Sequence, residues 1–153
     1  MEKKITKNLI EFIKMEEGVY LKAYKCQAGV WTIGIGSTFY EDGSKVKSGD
    51  VIDNKRAEKL LEKYLTDVSA RVIKETVKVE LTQGMFEALC SFIYNVGEGA
   101  FKSSTLLKLL NKSEYTNASK EFLKWNKLTK NGMKITSLGL TKRREREKRL
   151  FTS

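Results

Sequence analysis

The chain has 153 residues, a formal net charge of +10 and no histidine. Without an imidazole base, Ser-His-Asp and Cys-His nucleophile systems are excluded, and two cysteines alone cannot complete an ordinary zinc site. Acid–base chemistry therefore falls to Asp, Glu, Lys, Tyr or Cys side chains. The positive charge favours an anionic partner such as nucleic acid, anionic lipid or a cell-wall polymer, although a lysine-rich soluble surface explains it equally well.

An amphipathic helix and a glycine-punctuated segment open the chain. The i, i+4 spacing of apolar residues predicts a first helix that ends at Gly18. Residues 19–52 have no helical period and are rich in glycine and β-prone residues, which indicates a small antiparallel sheet with hairpin turns. One of these turns is expected at residues 41–44.

Most of the remaining chain has helical spacing. Asp53 is a suitable N-cap for a long helix over residues 55–74. Thr82 is a suitable cap for an apolar central helix that ends at Gly97 and Gly99. The other expected elements are helices from Ser103 or Ser104 to Leu110, from Asn117 to Trp125 and from Thr141 onward, and a turn at Asn131-Gly132.

These elements predict an α+β, mainly α fold with two lobes. A small antiparallel β lobe is expected at about residues 17–53, and a larger, wholly helical lobe from about residues 1–16 and 76–153. A long helix over about residues 54–75 joins the two. Because no proline, low-complexity tract or repeat interrupts the chain, residues 1–153 are expected to form a single domain.

Glu17 has the most informative position of the acidic residues. It closes the first helix directly before the glycine-punctuated segment, and this layout can hold one carboxyl group at the edge of a cleft. A carboxyl group in an apolar cleft favours its protonated form, which can donate a proton near neutral pH. Taken alone, an ordinary solvated glutamate at a helix end explains the position better.

Two further residues follow Glu17 at fixed spacing. Cys26 comes after eight intervening residues, Thr32 after five more, and the run Ile33-Gly34-Ile35-Gly36 comes next. This pattern resembles the signature of the phage-type lysozymes, glycoside hydrolase family 24, which serve as endolysins. Other blocks that resemble the family follow in order, at Leu81 to Asn111, Phe122 to Asn126 and Gly139 to Glu145. The resemblance covers nearly the whole chain and implies a lysozyme-like fold.

The resemblance also implies an activity. The family cleaves the β-1,4 bond between N-acetylmuramic acid and N-acetylglucosamine in peptidoglycan. Glu17 occupies the position of the general acid that protonates the leaving oxygen. Cys26 and Thr32 occupy positions that handle water on the opposite face of the sugar, as inverting hydrolysis requires. Neither a metal nor a cofactor is implied.

Cys26 is the weakest point of this assignment. A carboxylate at this position would orient water and stabilise positive charge on the sugar, whereas a thiol with an ordinary pKa is mostly neutral at pH 7. We therefore hypothesise that Thr32 does more of the water positioning. A buried structural thiol is the other interpretation of Cys26. Ser37 stands where many relatives have histidine, which agrees with the absence of histidine from the chain.

The resemblance implies substrate-binding residues as well. Thr38, Tyr94 and Ser104 match positions that line the sugar cleft, where hydroxyl and aromatic groups suit a sugar ring. A core position on an apolar helix explains Tyr94 nearly as well. Arg143 matches a position whose guanidinium can pair with the catalytic glutamate and orient it, and a solvated position on the basic C-terminal helix is its alternative. Trp31 and Trp125 are expected in the core.

Two other functions stay open. A lytic transglycosylase acts on the same bond with one glutamate and no activated water, which suits the thiol at Cys26. A basic, non-catalytic binding module for cell wall or nucleic acid would explain the charge. No nucleic-acid partner is expected, because no recognised nucleic-acid fold or aromatic stacking pattern occurs.

The expected partner is the glycan strand of peptidoglycan, bound by a monomer. No signal peptide and no run of about 18 apolar residues occurs, so a membrane anchor is not expected. We expect storage in the host cytoplasm until lysis, then release to the periplasm and cell wall through a holin-type lesion. Two cysteines form no disulfide framework, and pairing of Cys26 with Cys90 is left open.

Overall fold

The computed structural model describes residues 3–153 and groups them into two units by their contacts. Residues 4–67 form one unit, and residues 68–153 make up nearly all of the other. The first helix, which was expected in the helical lobe, lies in the same unit as the first two strands. Its buried side chains are those of Leu9, Ile10 and Ile13.

Helix α1, Lys7–Glu17, opens the unit of residues 4–67. The side chain of Thr6 caps it by accepting a hydrogen bond from the amide of Leu9 at 3.1 Å. The helix ends at Gly18, whose φ of 77° takes the chain out of the helix. The predicted end of the first helix is therefore confirmed, and Glu17 is its last residue.

The predicted antiparallel sheet is present directly after α1. Strand β1, Tyr20–Lys25, pairs with strand β2, Trp31–Gly34, in a register that places Tyr24 opposite Thr32. The expected turn at residues 41–44 is also present, because the amide of Tyr40 donates to the carbonyl of Ser44. The remainder of this segment is irregular and held by isolated bridges.

The predicted long helix is interrupted. Helix α2, Asn54–Tyr64, begins as expected at Asp53, whose carboxylate accepts from the amide of Arg56 at 2.8 Å. A π-helical segment, Leu65–Ala70, follows and leads into helix α3, Arg71–Thr76. The boundary between the two units falls inside this π-helical segment. A uniform apolar spacing cannot reveal such a widened turn, since the pattern continues through it.

The unit of residues 68–153 is built on helix α4, Gln83–Val96, which is capped by Thr82 as predicted. Buried residues occupy most of its faces. Phe92 lies among aromatic neighbours, with ring centroids 5.3 Å from Phe122 and 5.4 Å from Trp125. Edge-to-face packing of this kind adds to the stabilisation from the area that the rings bury.

The remaining helices differ from the predictions at several boundaries. They are α5 at Glu98–Lys102, α6 at Thr105–Asn111, α7 at Tyr115–Glu121 with a 3₁₀ turn at Phe122–Lys124, and α8 at Leu138–Thr152. Gly99 lies inside α5 and does not end α4. The last helix begins before Thr141, because the side chain of Ser137 caps it.

The expectation that the larger lobe is wholly helical is wrong. Strand β3, Lys127–Lys130, pairs antiparallel with strand β4, Met133–Thr136. Asn131 and Gly132 form the turn between them with φ values of 52° and 77°. Positive φ at both central residues is the geometry of a two-residue hairpin, which favours Asn-Gly. The predicted turn is confirmed, but the short strands on either side of it were not predicted.

Helices α4 and α8 pack closely at Gly84. A Cβ atom placed on Gly84 would lie 2.5 Å from the backbone oxygen of Leu150. Real carbon atoms do not approach a backbone oxygen this closely, so the start of α4 requires glycine against the end of α8.

The replacement Gly84→Ala is expected to lower the free energy of unfolding by about 1–3 kcal/mol, because the added methyl group overpacks this contact. Gly99→Ala is the matched control, since Gly99 is also helical and nothing lies within 4 Å of the position that its Cβ would take. That variant is expected to be neutral or to gain up to about 1 kcal/mol from helix propensity. Urea unfolding measures both, and equal effects in the two variants would contradict the packing argument.

Candidate active site

The carboxyl group of Glu17 lies against the backbone of a tight turn. Two hydrogen bonds between Ile33 and Ser37, of 2.8 and 2.9 Å, close this turn directly after β2. Within it, Gly36 has a φ of 77°, and a Cβ on Gly36 would lie 2.9 Å from Oε1 of Glu17. The positive φ favours glycine here, and a side chain at this position would displace the carboxyl end of Glu17.

Two tyrosines lie on the same strand near Glu17. The ring centroids of Tyr20 and Tyr24 are 4.6 Å apart. Burial is the main cause that raises the pKa of Tyr24. Negative charge on the ionised side chains of Tyr20, Glu17 and Cys26 raises this pKa further. Strand β1 thus places Tyr24 close enough to interact electrostatically with Glu17 and Cys26, two of the predicted catalytic residues. Tyr24 was not among the predicted site residues, and its place in the alternation of a strand is the signal that could have indicated it.

The hairpin of β1 and β2 brings Cys26 close to Thr32. Cys26 follows β1, and its amide donates to the carbonyl of Val30 at 3.0 Å. The hydroxyl of Thr32 donates to the same carbonyl, also at 3.0 Å. Thr32 is buried and Cys26 is partly exposed. All three predicted catalytic residues therefore lie within residues 4–67.

The thiol of Cys26 ionises more readily than an ordinary thiol. The backbone amide of Val30 hydrogen bonds to the thiolate and lowers the pKa of Cys26, against a smaller opposing effect of desolvation. The amide of Ala28 and the hydroxyl of Thr32 lower the pKa further. Treating Cys26 as an unperturbed neutral thiol therefore underestimates its ionised fraction.

The predicted substrate-binding residues have different environments. Thr38 and Tyr94 are both partly buried, the first in the β segment and the second on α4. Ser104 is buried and serves as the cap of α6. Its hydroxyl donates to the carbonyl of Phe101 at 2.7 Å and accepts from the amide of Leu107 at 3.1 Å. Helix capping thus accounts for both hydrogen bonds of the Ser104 side chain.

Arg143 is buried, so the solvated alternative for this residue is wrong. Its Nε lies 3.3 Å from Oε2 of Glu147, and its Nη2 lies 3.3 Å from the carbonyl and the hydroxyl oxygens of Ser91. The carboxylate of Glu147 also accepts from Arg144 and from the hydroxyl of Ser91, each at 2.5 Å. Burial raises the pKa of Glu147, while the two guanidinium groups oppose this change.

This buried network was not predicted, because a run of basic residues looks like a solvated helix face. Arg144 and Glu147 are fully buried, and Arg144 extends the network to the carbonyl of Trp125 at 3.0 Å and to the side chain of Asn95. The spacing of Arg143 and Arg144 from Glu147, at i, i+4 and i, i+3, is the signal that could have indicated paired charges.

A cleft of about 640 Å³ lies in the unit of residues 68–153. Its lining is mixed, with polar, basic and aromatic side chains that include Asn95, Thr105, Trp125 and Lys134. Trp125 was expected in the core, but it is only partly buried and contributes to this cleft. A few polar groups beside an aromatic ring suit the binding of a sugar or a peptide.

Both cysteines are free, which settles the pairing that the sequence left open. Cys90 is buried on α4, and burial raises its pKa far above the ordinary range. Within residues 3–153, no group of three or more His, Cys, Asp or Glu side chains is placed to hold a metal ion.

Known proteins are similar to this chain both in sequence and in fold. The Phage lysozyme family model matches residues 14–147. The chain belongs to the phage lysozyme family. It is 44% identical over 149 residues to an endolysin of Acyrthosiphon pisum secondary endosymbiont phage 1, covering 97% of this chain and 98% of that protein.

Solved structures of similar proteins have the same fold. An endolysin from Escherichia coli O157:H7 phage FAHEc1 matches with a TM-score of 0.91 and 34% identity, covering 99% of this chain and 94% of that one. The muramidase domain of SpmX from Asticaccaulis excentricus matches with a TM-score of 0.88 and 30% identity, covering 99% of each chain. The predicted lysozyme-like, mainly α fold is therefore confirmed.

Family membership decides the class of function. The protein is a glycoside hydrolase of the lysozyme type, a phage lysis enzyme that acts on peptidoglycan. The alternative of a non-catalytic binding module is therefore wrong.

Alkylation of the native protein with iodoacetamide is expected to modify Cys26 and leave the buried Cys90 intact. Because the pKa of Cys26 is lowered, its reaction should begin at a lower pH than that of glutathione. Thr32→Val should move the onset to higher pH, since it removes one donor to the thiolate. Peptide mass spectrometry across a pH series measures both, and a Cys26 onset at or above that of glutathione would contradict the assignment.

Proposed function

We propose that this lysozyme hydrolyses the β-1,4 bond between N-acetylmuramic acid and N-acetylglucosamine. Glu17 acts as the general acid, and Cys26 and Thr32 position the attacking water. The observation that carries this proposal is the short distance between the carboxyl group of Glu17 and the glycine turn. The similarity to a muramidase domain, that of SpmX, supports the choice of bond.

A general acid must be held where the leaving oxygen will be. Misplacement by about 1 Å can reduce a rate about 100-fold, so groups that restrict the carboxyl matter as much as the carboxyl itself. The helix end at Gly18 and the close backbone at Gly36 restrict Glu17 from two sides. Protonation of the leaving oxygen by Glu17 is the first step that we propose.

Cys26 and Thr32 form a water-binding pair that works in either ionisation state. The Thr32 hydroxyl has one proton, which it donates to the carbonyl of Val30. Its lone pairs then stay available to accept a hydrogen bond from water. If Cys26 ionises, the Thr32 hydroxyl can donate to the thiolate, which itself becomes an acceptor for water. An acceptor is present in both states, and this replaces part of what a carboxylate would do.

Three of the residues predicted to bind the substrate or to orient the acid are assigned roles in this proposal. We propose that Thr38 and Tyr94, which are both partly exposed, contact the sugar. We propose that Arg143 orients the acid, and its hydrogen bonds to Glu147 and Ser91 hold the guanidinium in one conformation. Ser104 has a hydroxyl committed to the cap of α6, so any contribution to binding comes through the position of that helix.

The proposed setting is phage-induced lysis. We propose a monomer that is stored in the host cytoplasm and reaches the wall through a holin-type lesion. No helix within residues 3–153 is both long and apolar enough to cross a bilayer.

Clearing of a purified wall suspension tests the role of Glu17. Glu17→Gln is expected to reduce the rate by about 100-fold or more, because the amide cannot donate the catalytic proton. Glu16→Gln, one position earlier on α1, is the matched control and should clear at the wild-type rate. Loss of activity in both variants, or in neither, would overturn the assignment.

Mass spectrometry of the products in ¹⁸O-labelled water separates hydrolysis from the transglycosylase alternative. A new reducing end carrying ¹⁸O is the expected product, and a 1,6-anhydro end without the label would replace hydrolysis with transglycosylation.

Gly36→Ala is expected to reduce wall clearing by up to about 100-fold, because its methyl group would displace the carboxyl of Glu17. Gly43→Ala is the control: Gly43 has a φ of 84° in the same unit, but nothing lies within 4 Å of its Cβ position. Both variants strain the backbone by about 1–2 kcal/mol, so their melting temperatures should fall together. Equal clearing by the two variants would contradict the proposed constraint on Glu17.

A further inference from the structure

The hairpin of β3 and β4 has two chemically different faces. Directly opposite residues of an antiparallel pair project from the same face. The register therefore places one set on a face that we call the apolar hairpin face: Leu128, Lys130, Met133 and Ile135. The opposite face carries Lys127, Thr129, Lys134 and Thr136.

The apolar hairpin face is open to solvent. Met133 is 69% exposed and Ile135 is 40% exposed, and Leu138, which follows the hairpin at the start of α8, is 69% exposed. All four residues of β4 are exposed. Large apolar side chains grouped in this way on a short hairpin point to a surface that is covered by a partner.

The same segment is strongly basic. No Asp or Glu occurs between Glu121 and Glu145, whereas five lysines do. One of them, Lys124, forms an ion pair with Glu121 at 2.6 Å. The other four are Lys127, Lys130, Lys134 and Lys142. Lys130 lies beside Met133, its partner in the register, so one charge stands on the apolar hairpin face itself. The partner must therefore combine negative charge with a region that accepts apolar side chains.

Three kinds of partner can be compared by these two requirements. A second copy of the chain would bring a net charge of +10 and the same lysines against the hairpin, which is repulsive. A wall polymer would neutralise the lysines but would leave Met133 and Ile135 in water. An anionic bilayer meets both requirements, because its phosphates attract lysines and its headgroup boundary accepts apolar side chains.

We propose that the apolar hairpin face docks onto the surface of an anionic phospholipid bilayer. Met133 and Ile135 enter the headgroup boundary, while Lys130, which lies on the same face, contacts the phosphates. This docking is peripheral, and it is independent of the catalytic roles proposed above.

Co-sedimentation with lipid vesicles tests the proposal. The protein should bind vesicles that contain phosphatidylglycerol far more tightly than vesicles of phosphatidylcholine alone, and added salt should weaken the binding. The double variant Met133→Ser, Ile135→Ser should weaken binding at least about 10-fold through lost apolar burial. Lys130→Gln should weaken it about 5-fold, as expected for one lysine at an anionic surface.

Matched variants in the other unit distinguish docking by this face from nonspecific adsorption to the vesicles. Met15→Ser removes a methionine that is 87% exposed, and Lys59→Gln removes one charge from α2. Neither should change vesicle binding. Failure to bind anionic vesicles, or equal losses from Lys59→Gln and Lys130→Gln, would overturn the proposal. A dimer in sedimentation equilibrium that Met133→Ser, Ile135→Ser dissolves would instead assign this face to self-association.

Discussion

The close approach of the Gly36 backbone to the carboxyl of Glu17 is the constraint on which the candidate site depends. Two elements that are separate in sequence meet there, the end of α1 and the tight turn after β2. The turn has positive φ at Gly36, and a Cβ atom there would displace the carboxyl of Glu17. The same run of residues therefore ends a strand, reverses the chain and restricts the carboxyl group. The position of the proposed acid depends on a backbone conformation as much as on the side chain itself.

The surroundings of Cys26 bear on how the candidate site can work with a thiol in place of a second carboxylate. A thiol is a poor substitute when it is isolated, but backbone amides and the Thr32 hydroxyl favour its ionised form. Thr32 is held by the carbonyl of Val30, which also accepts from the amide of Cys26. The short hairpin thus supplies both the proposed acceptor for water and the groups that tune its pKa. Local backbone groups lower the pKa of the thiol here without any histidine.

Much of the fold was accessible from local signals. Asp53 and Thr82 cap the helices that they were expected to cap, because capping depends on hydrogen bonds within one turn. Ser104, one of the two residues expected to begin the next short helix, caps α6. The π-helical segment Leu65–Ala70 and the hairpin of β3 and β4 were missed. The first lies in a stretch where apolar residues recur at helical spacing, which indicated one continuous helix, and the second is too short and too exposed to give a strong alternating pattern.

The resemblance to the family, and with it the candidate residues Glu17, Cys26 and Thr32, could be recognised from the sequence alone, since a fixed spacing around a turn does not depend on knowledge of packing. The packing of the helices was needed to show that Arg144 and Glu147, on the basic C-terminal helix, are buried partners and not solvated charges. It also decided that the hydroxyl of Ser104 is committed to a helix cap. The physical reason is the same in both cases: burial and hydrogen-bond partners depend on which elements pack together, and a one-dimensional pattern does not contain that information.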